Sequence, residues 1–527
     1  MDRIWDVIII GSGPSGVSAA WPLVISGLNV LMLDASSVND SDKVDLNRPS
    51  LRELRKGLQP NYLLKTGYTG LRNVGNSSPK LRLASSIDYV SEYERRLQIT
   101  SDQFRLVGAL AKGGLSKIWG GVSCQYDAED LGSDEKLARE LSQSYHEISL
   151  RIGISGPSRN DNNNALVKND FVLQPPVPLT ALAKKFLSKS QFKKIKPNVI
   201  VGQPDIAVLT QELNGRQAHS NDFACMWGCK NRSVYSSEYE IENLNKYKNF
   251  NYVNNSLVTT LLKGSSGDWV VNLSEPVEMS YLSKRVILAA GTISTTTIIL
   301  RSGLAKSNQY RLISNPAFSF AIINPKFLGS GIPEEGYGNA QLFMKVPEPI
   351  SGSYSFGLLY DAGSMCASDI ARHMPLSLAG ALRLSGALME ATMLSLCYLP
   401  GEFSNSKIEI ESDGFINITG GVTDSYKTAK KALLKQVKAL LVGTGYYLIP
   451  GSFKPYEIGS DVHYAGTLGI TGELENGHLI DHHGIYIVDG ASLGKLPAKN
   501  PTLTYMANAD RIAKNILKSL NKNVRCS

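Results

Sequence analysis

The 527-residue chain has little of what marks several common protein classes. Six cysteines in so long a sequence do not make a disulfide framework. Two of them, Cys225 and Cys229 in CMWGC, stand without a second cysteine or histidine pair at ligand spacing. Reduced structural thiols beside a turn are expected there, and no metal site. Charge of one sign is scarce too: charged residues make up 19% and the formal net charge is only +8. No long basic stripe with interleaved aromatics runs through the chain, which argues against nucleic acid and leaves a weak preference for an anionic substrate or surface. The densest basic run, ALAKKFLSKSQFKKIK at 181–196, reads as a solvated helix face, with an anion or membrane-surface contact as the lesser alternative. Long hydrophobic runs are missing. The longest apolar tract, Met374 to Leu399, is broken by Arg383, Glu390 and several Ser and Gly residues, and falls short of a membrane span. A first strand at Ile4 leaves no room for a signal peptide, so a cytoplasmic location is expected. Neither internal repeats nor low-complexity linkers occur.

What is present begins at once. Residues 4–34, IWDVIIIGSGPSGVSAAWPLVISGLNVLMLD, read as strand, tight turn, helix and strand. The apolar runs Val7–Ile10 and Val30–Leu33 bracket a small-residue helix, which makes a βαβ unit. Residues 36–100 are polar and irregular, the kind of excursion that covers a ligand or a dimer face. Helix is expected over 131–150, a second α/β passage over 205–305, and alternating β-like and helical segments over 310–455. The fold class expected is α/β: a Rossmann-like domain interleaved with an α+β domain built on an antiparallel sheet. The first domain takes 1–45, 100–130, 205–305 and 456–527; the second takes 46–99, 131–204 and 306–455.

GSGPSG supplies Gly11, Gly13 and Gly16 in the G-x-G-x-x-G pattern, with Pro14 and Ser15 between them. The first glycine permits the tight turn, the second lets backbone approach a pyrophosphate, and the third lets helix and strand pack closely. The helix N-terminus offers free N–H groups to phosphate. Asp34 closes the second strand, where an acidic residue accepts hydrogen bonds from ribose hydroxyls. The fingerprint alone permits NAD or FAD. RVILAAGTIST at 285–295, an apolar strand running into Gly291, has the form of the second strand-to-glycine turn that two-part flavoproteins bring back to the same cofactor. It favours FAD.

At this point four stretches together resemble the glucose–methanol–choline (GMC) oxidoreductases: GSGPSG…LMLD, KGGLSKIWGG, RVILAAGTISTTTIILRSG, and HYAGTLG…IYIVDGASLGKLPAKNPTLTYMANADRIA. They cover about a quarter of the chain in the family's order, and NPTLT is similar to the pyranose-oxidase and sugar-oxidising branch. Residues 310–455 match nothing in it. The resemblance implies Gly113, Gly114 and Ser116 over the pyrophosphate and flavin, with Trp119, Gly120 and Gly121 beneath the isoalloxazine edge. Val258 would reach the adenine through its backbone. Asp489 and Gly490 would lie along the ribityl chain, and the backbone after Pro501, at Thr502 and Leu503, would face the flavin pyrimidine oxygen. Asp34 stands where the family usually has Glu, and can make the same contacts. Where some sugar oxidases carry a flavin-linking histidine, this chain has Ile118, so the FAD is expected to be non-covalent.

Oxidising an alcohol removes a proton from oxygen and a hydride from carbon. The protein must supply a base and hold the hydroxyl in line. His463, in SDVHYAGTLG, falls where the family's pattern has its catalytic histidine. Asn500 falls where the pattern has a His or Asn partner, and would donate to the substrate oxygen and steady the developing alkoxide. Asn500-Pro501 makes an extended turn before a helix, aiming the Asn side chain forward. His478, His482 and His483 read as a turn between strands, and His146, His219 and His373 have no motif around them. The expected activity is FAD-dependent oxidation of CH–OH in a small-molecule alcohol, a sugar or sugar-like polyol first. A lipid or sterol-like alcohol is the alternative, with 374–399 lining the pocket or touching a membrane. A flavin-binding partner protein without turnover is the reading from another class. The electron acceptor, oxygen or another, is left open.

Overall fold

The computed structural model describes residues 3–36, 90, 92–157, 173–191, 199–223, 225, 229–275, 278–333, 335–364, 371, 374 and 376–525. Most of the 36–100 excursion, His373 and the end of the basic run lie outside the described residues. In chain order, β1 (Val7–Ile10) leads through a tight turn into α1 (Pro14–Ile25) and returns as β2 (Val30–Leu33). Then come α2 (Glu135–Ile152), α3 (Ala181–Gln191), β3 (Phe250–Val253), β4 (Val286–Leu288) and α4 (Thr292–Arg301). A middle group follows: β5 (Ala317–Ile323), β6 (Ala340–Pro347), β7 (Tyr354–Asp361), α5 (Leu378–Leu388), β8 (Thr392–Tyr398) and α6 (Tyr426–Leu441). The chain closes with β9 (Tyr464–Gly466), β10 (Ile485–Ile487) and α7 (Thr502–Arg525).

Five of these strands form a parallel sheet in the order β10, β4, β1, β2, β3, with Ile9 opposite Met32 and Ile287 opposite Tyr486. Both faces are buried, which is why β1 and β2 read as unbroken apolar runs. Side chains alternate strictly. Ile8, Ile10, Leu31 and Leu33 enter one core, while Val7, Ile9, Val30 and Met32 enter another. On that second face Ala19 and Ala20 of α1 share the core with Ala509, Ala513 and Ile516 of α7. Small side chains let the two helices and the sheet pack closely. Their sequence separation ties the N-terminal fingerprint to the C-terminal helix.

The middle group builds an antiparallel sheet in the order β5, β8, β7, β6, with Phe318 opposite Cys397 and Leu358 opposite Leu396. Helices α3 and α6 cover one face, packing Phe186, Leu433 and Val437 on Phe318, Leu342 and Met393. The opposite face carries Leu358, Leu396 and Tyr398. This Rossmann-like part joined to an antiparallel-sheet part is the fold class expected from the sequence.

Two stretches take definite form. The apolar tract 374–399 holds a helix, α5, followed by the strand β8 between β5 and β7. It is apolar because a central strand is buried on both sides, and no described helix is long and apolar enough to cross a membrane. Helix α2, given to the second domain in the expected boundaries, packs on α7. Its stripe of Leu141 and Tyr145 meets Leu503 and Met506, and Ser144 donates to Asp510 at 2.6 Å. Within the basic run, Leu182, Ala183 and Phe186 of α3 are buried while Lys184, Lys185 and Lys189 are exposed, as a solvated helix face requires.

Candidate active site

The turn between β1 and α1 is shaped by two glycines that the protein itself demands. Gly11 has φ +102°, and a Cβ there would lie 2.5 Å from the Ala289 carbonyl oxygen; one on Gly16 would lie 2.0 Å from that of Gly11. At Gly13 a Cβ would meet nothing within 4 Å, yet the residue lines a cavity of about 760 Å³. Its bare backbone faces that space. Helix α1 begins there with Pro14 at its first position and no side-chain cap, so first-turn N–H groups are left for a ligand. Asp34 lines the same cavity and takes the Ser12 and Ser36 amides on its two oxygens, each at 2.8 Å.

The glycine-rich stretch is strapped over this turn. The Gly113 amide donates to Ser12 Oγ at 2.9 Å, the Ser116 hydroxyl to the Gly113 carbonyl at 2.6 Å, and the Ser237 hydroxyl to the Ser12 carbonyl at 2.9 Å. A buried ion pair, Lys117 to Glu238 at 2.6 Å, anchors the stretch. Gly114, Ser116, Trp119 and Gly120 line the cavity, with Ile118 between them. From the other side β4 runs into Gly291, whose amide donates to Asp489 Oδ2 at 2.9 Å, and Thr295 donates to the same oxygen at 2.5 Å. Burial pushes the Asp489 carboxyl up to about 6. Gly291, Asp489, Gly490, Pro501 and Thr502 all reach the cavity, as do Gly11, Pro14 and Ser15. Gly16, Gly113 and Gly121 stand behind it, and Val258 is buried in the core, off the lining.

Beyond this cradle the cavity reaches His463 and Asn500, brought together across 37 residues of sequence. Asn500 Nδ2 lies 3.3 Å from His463 Nε2. His463 Nδ1 lies 3.3 Å from Asn315 Oδ1, and the amide nitrogen of Asn315 donates to the carbonyls of Leu399 (2.9 Å) and Pro497 (3.2 Å). Those two acceptors fix which way Asn315 points. Its oxygen faces the imidazole, so Nδ1 carries the proton and Nε2 presents a lone pair toward Asn500. Burial lowers His463 to about 4, leaving the ring neutral. Tyr398 of β8 packs on it, ring centroids 4.9 Å apart.

Asp461 completes the group. One oxygen accepts from the Asn315 and His463 amides at 2.8 and 3.2 Å; the other is buried without a partner, and burial pushes the carboxyl up to about 7. Between them Val462 sits at φ +63°, a conformation that β-branched residues avoid and that the surrounding bonds must hold in place. Just before Asn500, the buried Lys499 ammonium meets Asp130 at 2.5 Å and Asp127 at 3.1 Å, fixing the Asn-Pro turn. Burial pulls that lysine down, but the two carboxylates hold it above its usual value. Asn315 escapes sequence reading because it belongs to no local motif; Asp461 and Lys499 stand inside the stretches that hold His463 and Asn500, but nothing in those stretches assigns them a part.

The other described histidines do not line this cavity. His219 Nε2 lies 3.0 Å from Cys225 Sγ, and His478 packs edge-on to His483. Among the described residues no group of three or more His, Cys, Asp and Glu side chains is arranged to hold a metal ion.

No family model matches the chain. The fructose dehydrogenase large subunit of Gluconobacter japonicus is 22% identical over 354 residues, covering 62% of this chain and 61% of that protein. The chain therefore aligns with less than two thirds of that relative's length. Among solved structures, pyridoxine 4-oxidase from Mesorbium loti superposes with a TM-score of 0.61 at 12% identity, covering 97% of this chain and 99% of that one. Fold and matches agree with the family that the sequence resembles: the chain has the glucose–methanol–choline oxidoreductase fold. Proteins of that family bind FAD, and the cradle fits such a group. It offers uncapped helix N–H groups, a bare Gly13 and an acid at the strand end, in one cavity with the His–Asn pair.

Proposed function

We propose that the chain is a FAD-dependent oxidoreductase acting on a CH–OH group, with His463 as base and Asn500 as donor to the substrate oxygen. The observation that carries this reading is the pair itself. An imidazole Nε2 and a carboxamide face one another at 3.3 Å in the cavity that starts at the dinucleotide fingerprint. When bound, FAD supplies the acceptor for the hydride lost from carbon. Glycines 11, 13, 114 and 291, with Asp34 and Asp489, would hold it, and with Ile118 in the loop it would be held non-covalently.

Each protein group then has a defined task. A neutral His463 takes the hydroxyl proton at Nε2, because Asn315 keeps the other proton on Nδ1. Asn500 donates its amide hydrogen to the oxygen as negative charge gathers there. A ring held at about 4 is a weak proton acceptor, and Asp461 offsets that. Above about 7 it is ionised at the His463 main chain, where a negative charge favours the imidazolium. The substrate is a small-molecule alcohol. A sugar or polyol accords with the name of the fructose dehydrogenase relative, whereas the apolar cavity wall favours a less polar alcohol.

Single-turnover mixing of the FAD-loaded protein with an accepted alcohol tests the roles. His463→Ala is expected to slow flavin bleaching by about 10²–10⁴-fold and Asn500→Ala by about 10²-fold. Unchanged rates in a variant that keeps its flavin spectrum would refute the assignment.

A further inference from the structure

We infer that the pocket beside His463 takes a ring-shaped polyol, its CH face laid on Leu358 and Leu396 and its hydroxyls bonded by Tyr360, Tyr398, Tyr456 and Ser319. This rests on the oxidoreductase reading and names its substrate class. The wall is the face of the antiparallel sheet opposite α3 and α6, and strand register fixes its pattern. Leu396 of β8 stands opposite Ser319 of β5 and Leu358 of β7, and the short strand Lys454–Pro455 sets Lys454 opposite Ser319. Side chains two residues apart on a strand share a face. Tyr398 therefore follows Leu396 on one side of this row, opposite Ala317, and Tyr360 follows Leu358 on the other side, opposite Leu394. Tyr456 joins the Tyr398 side, its amide donating to the Ala317 carbonyl at 2.9 Å. All of these except Ala317 line the cavity. The apolar part of the wall, which taken alone favours a less polar alcohol, is thus its middle, with hydroxyl-bearing side chains around it. A sugar-like ring has the matching surface, CH groups on a face and hydroxyls at the rim.

The hydroxyls on this wall are unspent. Elsewhere around the cavity, buried phenols donate to protein: Tyr464 to the Gly459 carbonyl at 2.7 Å and Tyr505 to the Tyr464 carbonyl at 2.8 Å. A buried tyrosine ordinarily finds such a partner. The hydroxyls of Tyr360, Tyr398, Tyr456 and Ser319 have none among the described residues, and they open to the cavity. Burial pushes the Tyr360 and Tyr398 phenols up, so both keep their protons and each can donate as well as accept. The Tyr398 ring packs on His463, which sets this group beside the reacting carbon. A polyol entering here brings one hydroxyl to His463 and Asn500 and loses the water around the others, which the four hydroxyls of the wall replace. An alcohol with a single hydroxyl would strip water from the same four groups and return nothing.

The test mixes the FAD-loaded full chain anaerobically with D-glucose, D-galactose, D-xylose, D-fructose and L-sorbose, and with cyclohexylmethanol and benzyl alcohol, which carry a ring and a single hydroxyl. Flavin bleaching reads reaction. Calorimetric titration of the same ligands into dithionite-reduced protein, which cannot take a hydride, reads binding alone. At least one sugar is expected to exceed both single-hydroxyl alcohols by about tenfold or more in second-order bleaching rate and in affinity. Tyr360→Phe and Tyr456→Phe are each expected to cut the ratio of that sugar to cyclohexylmethanol by about tenfold, mainly through affinity. Neither should lower the melting temperature, because neither hydroxyl is spent on the protein. Should either variant fail to fold, Ser319→Ala reads the same ratio. Single-hydroxyl alcohols that match every sugar, or a ratio unmoved in all the variants, would overturn the inference, while bleaching by any alcohol keeps the oxidation reading. Sugar-selective binding to the reduced protein without bleaching of the oxidised one would instead sink the oxidation reading and leave the recognition standing. No binding and no bleaching by any of these ligands would overturn both.

Discussion

At the scale of single residues, the reading turns on which nitrogen of His463 is free. Asn315 decides it by geometry: two backbone carbonyls hold its amide nitrogen, so its oxygen must meet Nδ1. Asn315→Ala should therefore lower the rate of flavin reduction by about tenfold or more, because the ring can then adopt the wrong tautomer. Asn315→Asp keeps an acceptor toward Nδ1 but sets an oxygen against the Leu399 and Pro497 carbonyls, so it should recover only part of the loss; a His463 Nδ1–H nitrogen resonance unchanged in Asn315→Ala would mean that Asn315 only supports packing. His463 and Asn500 were legible in the sequence because each sits in a short motif with its own chemistry. Asn315 was not, since a lone Asn in a β-rich passage is indistinguishable from a turn residue until the strands bring it to His463.

Among elements, the β1–α1 turn separates what the fold needs from what a ligand needs. Gly16→Ala drives a Cβ to 2.0 Å from the Gly11 carbonyl oxygen, in the turn that joins β1 to α1, and is expected to lower the melting temperature of apoprotein and loaded protein alike. Gly13→Ala meets no protein atom, so the apoprotein should melt like wild type while FAD affinity falls. Titrating FAD into both variants and melting each without it checks this; an apoprotein destabilised by Gly13→Ala would contradict the assignment. The parallel sheet could be read from the sequence because strands buried on both faces announce themselves as apolar runs. The tract at 374–399 was harder. A short helix followed by a buried central strand has the composition of one long apolar segment, and only the pairing of β8 with β5 and β7 separates the two.

For the whole molecule, acidity reports the buried site. Tyr398, Tyr464 and Tyr505 around it are held neutral by burial, which leaves Asp461 and His463 to titrate beside the substrate space and Asp489, raised to about 6, in the cradle. Asp461, raised to about 7, ionises in the unfolded chain from about pH 4 but in the folded one only near 7, so its cost to stability grows across that window and stays above it. His463, lowered to about 4, acts oppositely: stability falls as pH drops from about 6.5 toward 4. Asp461→Asn should thus gain on wild type in melting temperature as pH rises from about 4 to 7, and should flatten any rise in flavin-reduction rate near pH 7. A difference independent of pH would mean that Asp461 is not the titrating group. The most direct measurement is the visible spectrum of the purified, FAD-loaded protein before and after anaerobic addition of a panel of sugars and alcohols, for wild type and for His463→Ala. The account expects an oxidised-flavin spectrum that bleaches in wild type within seconds and persists in the variant. A protein that cannot bind FAD, or a variant that bleaches as fast as wild type, would contradict it.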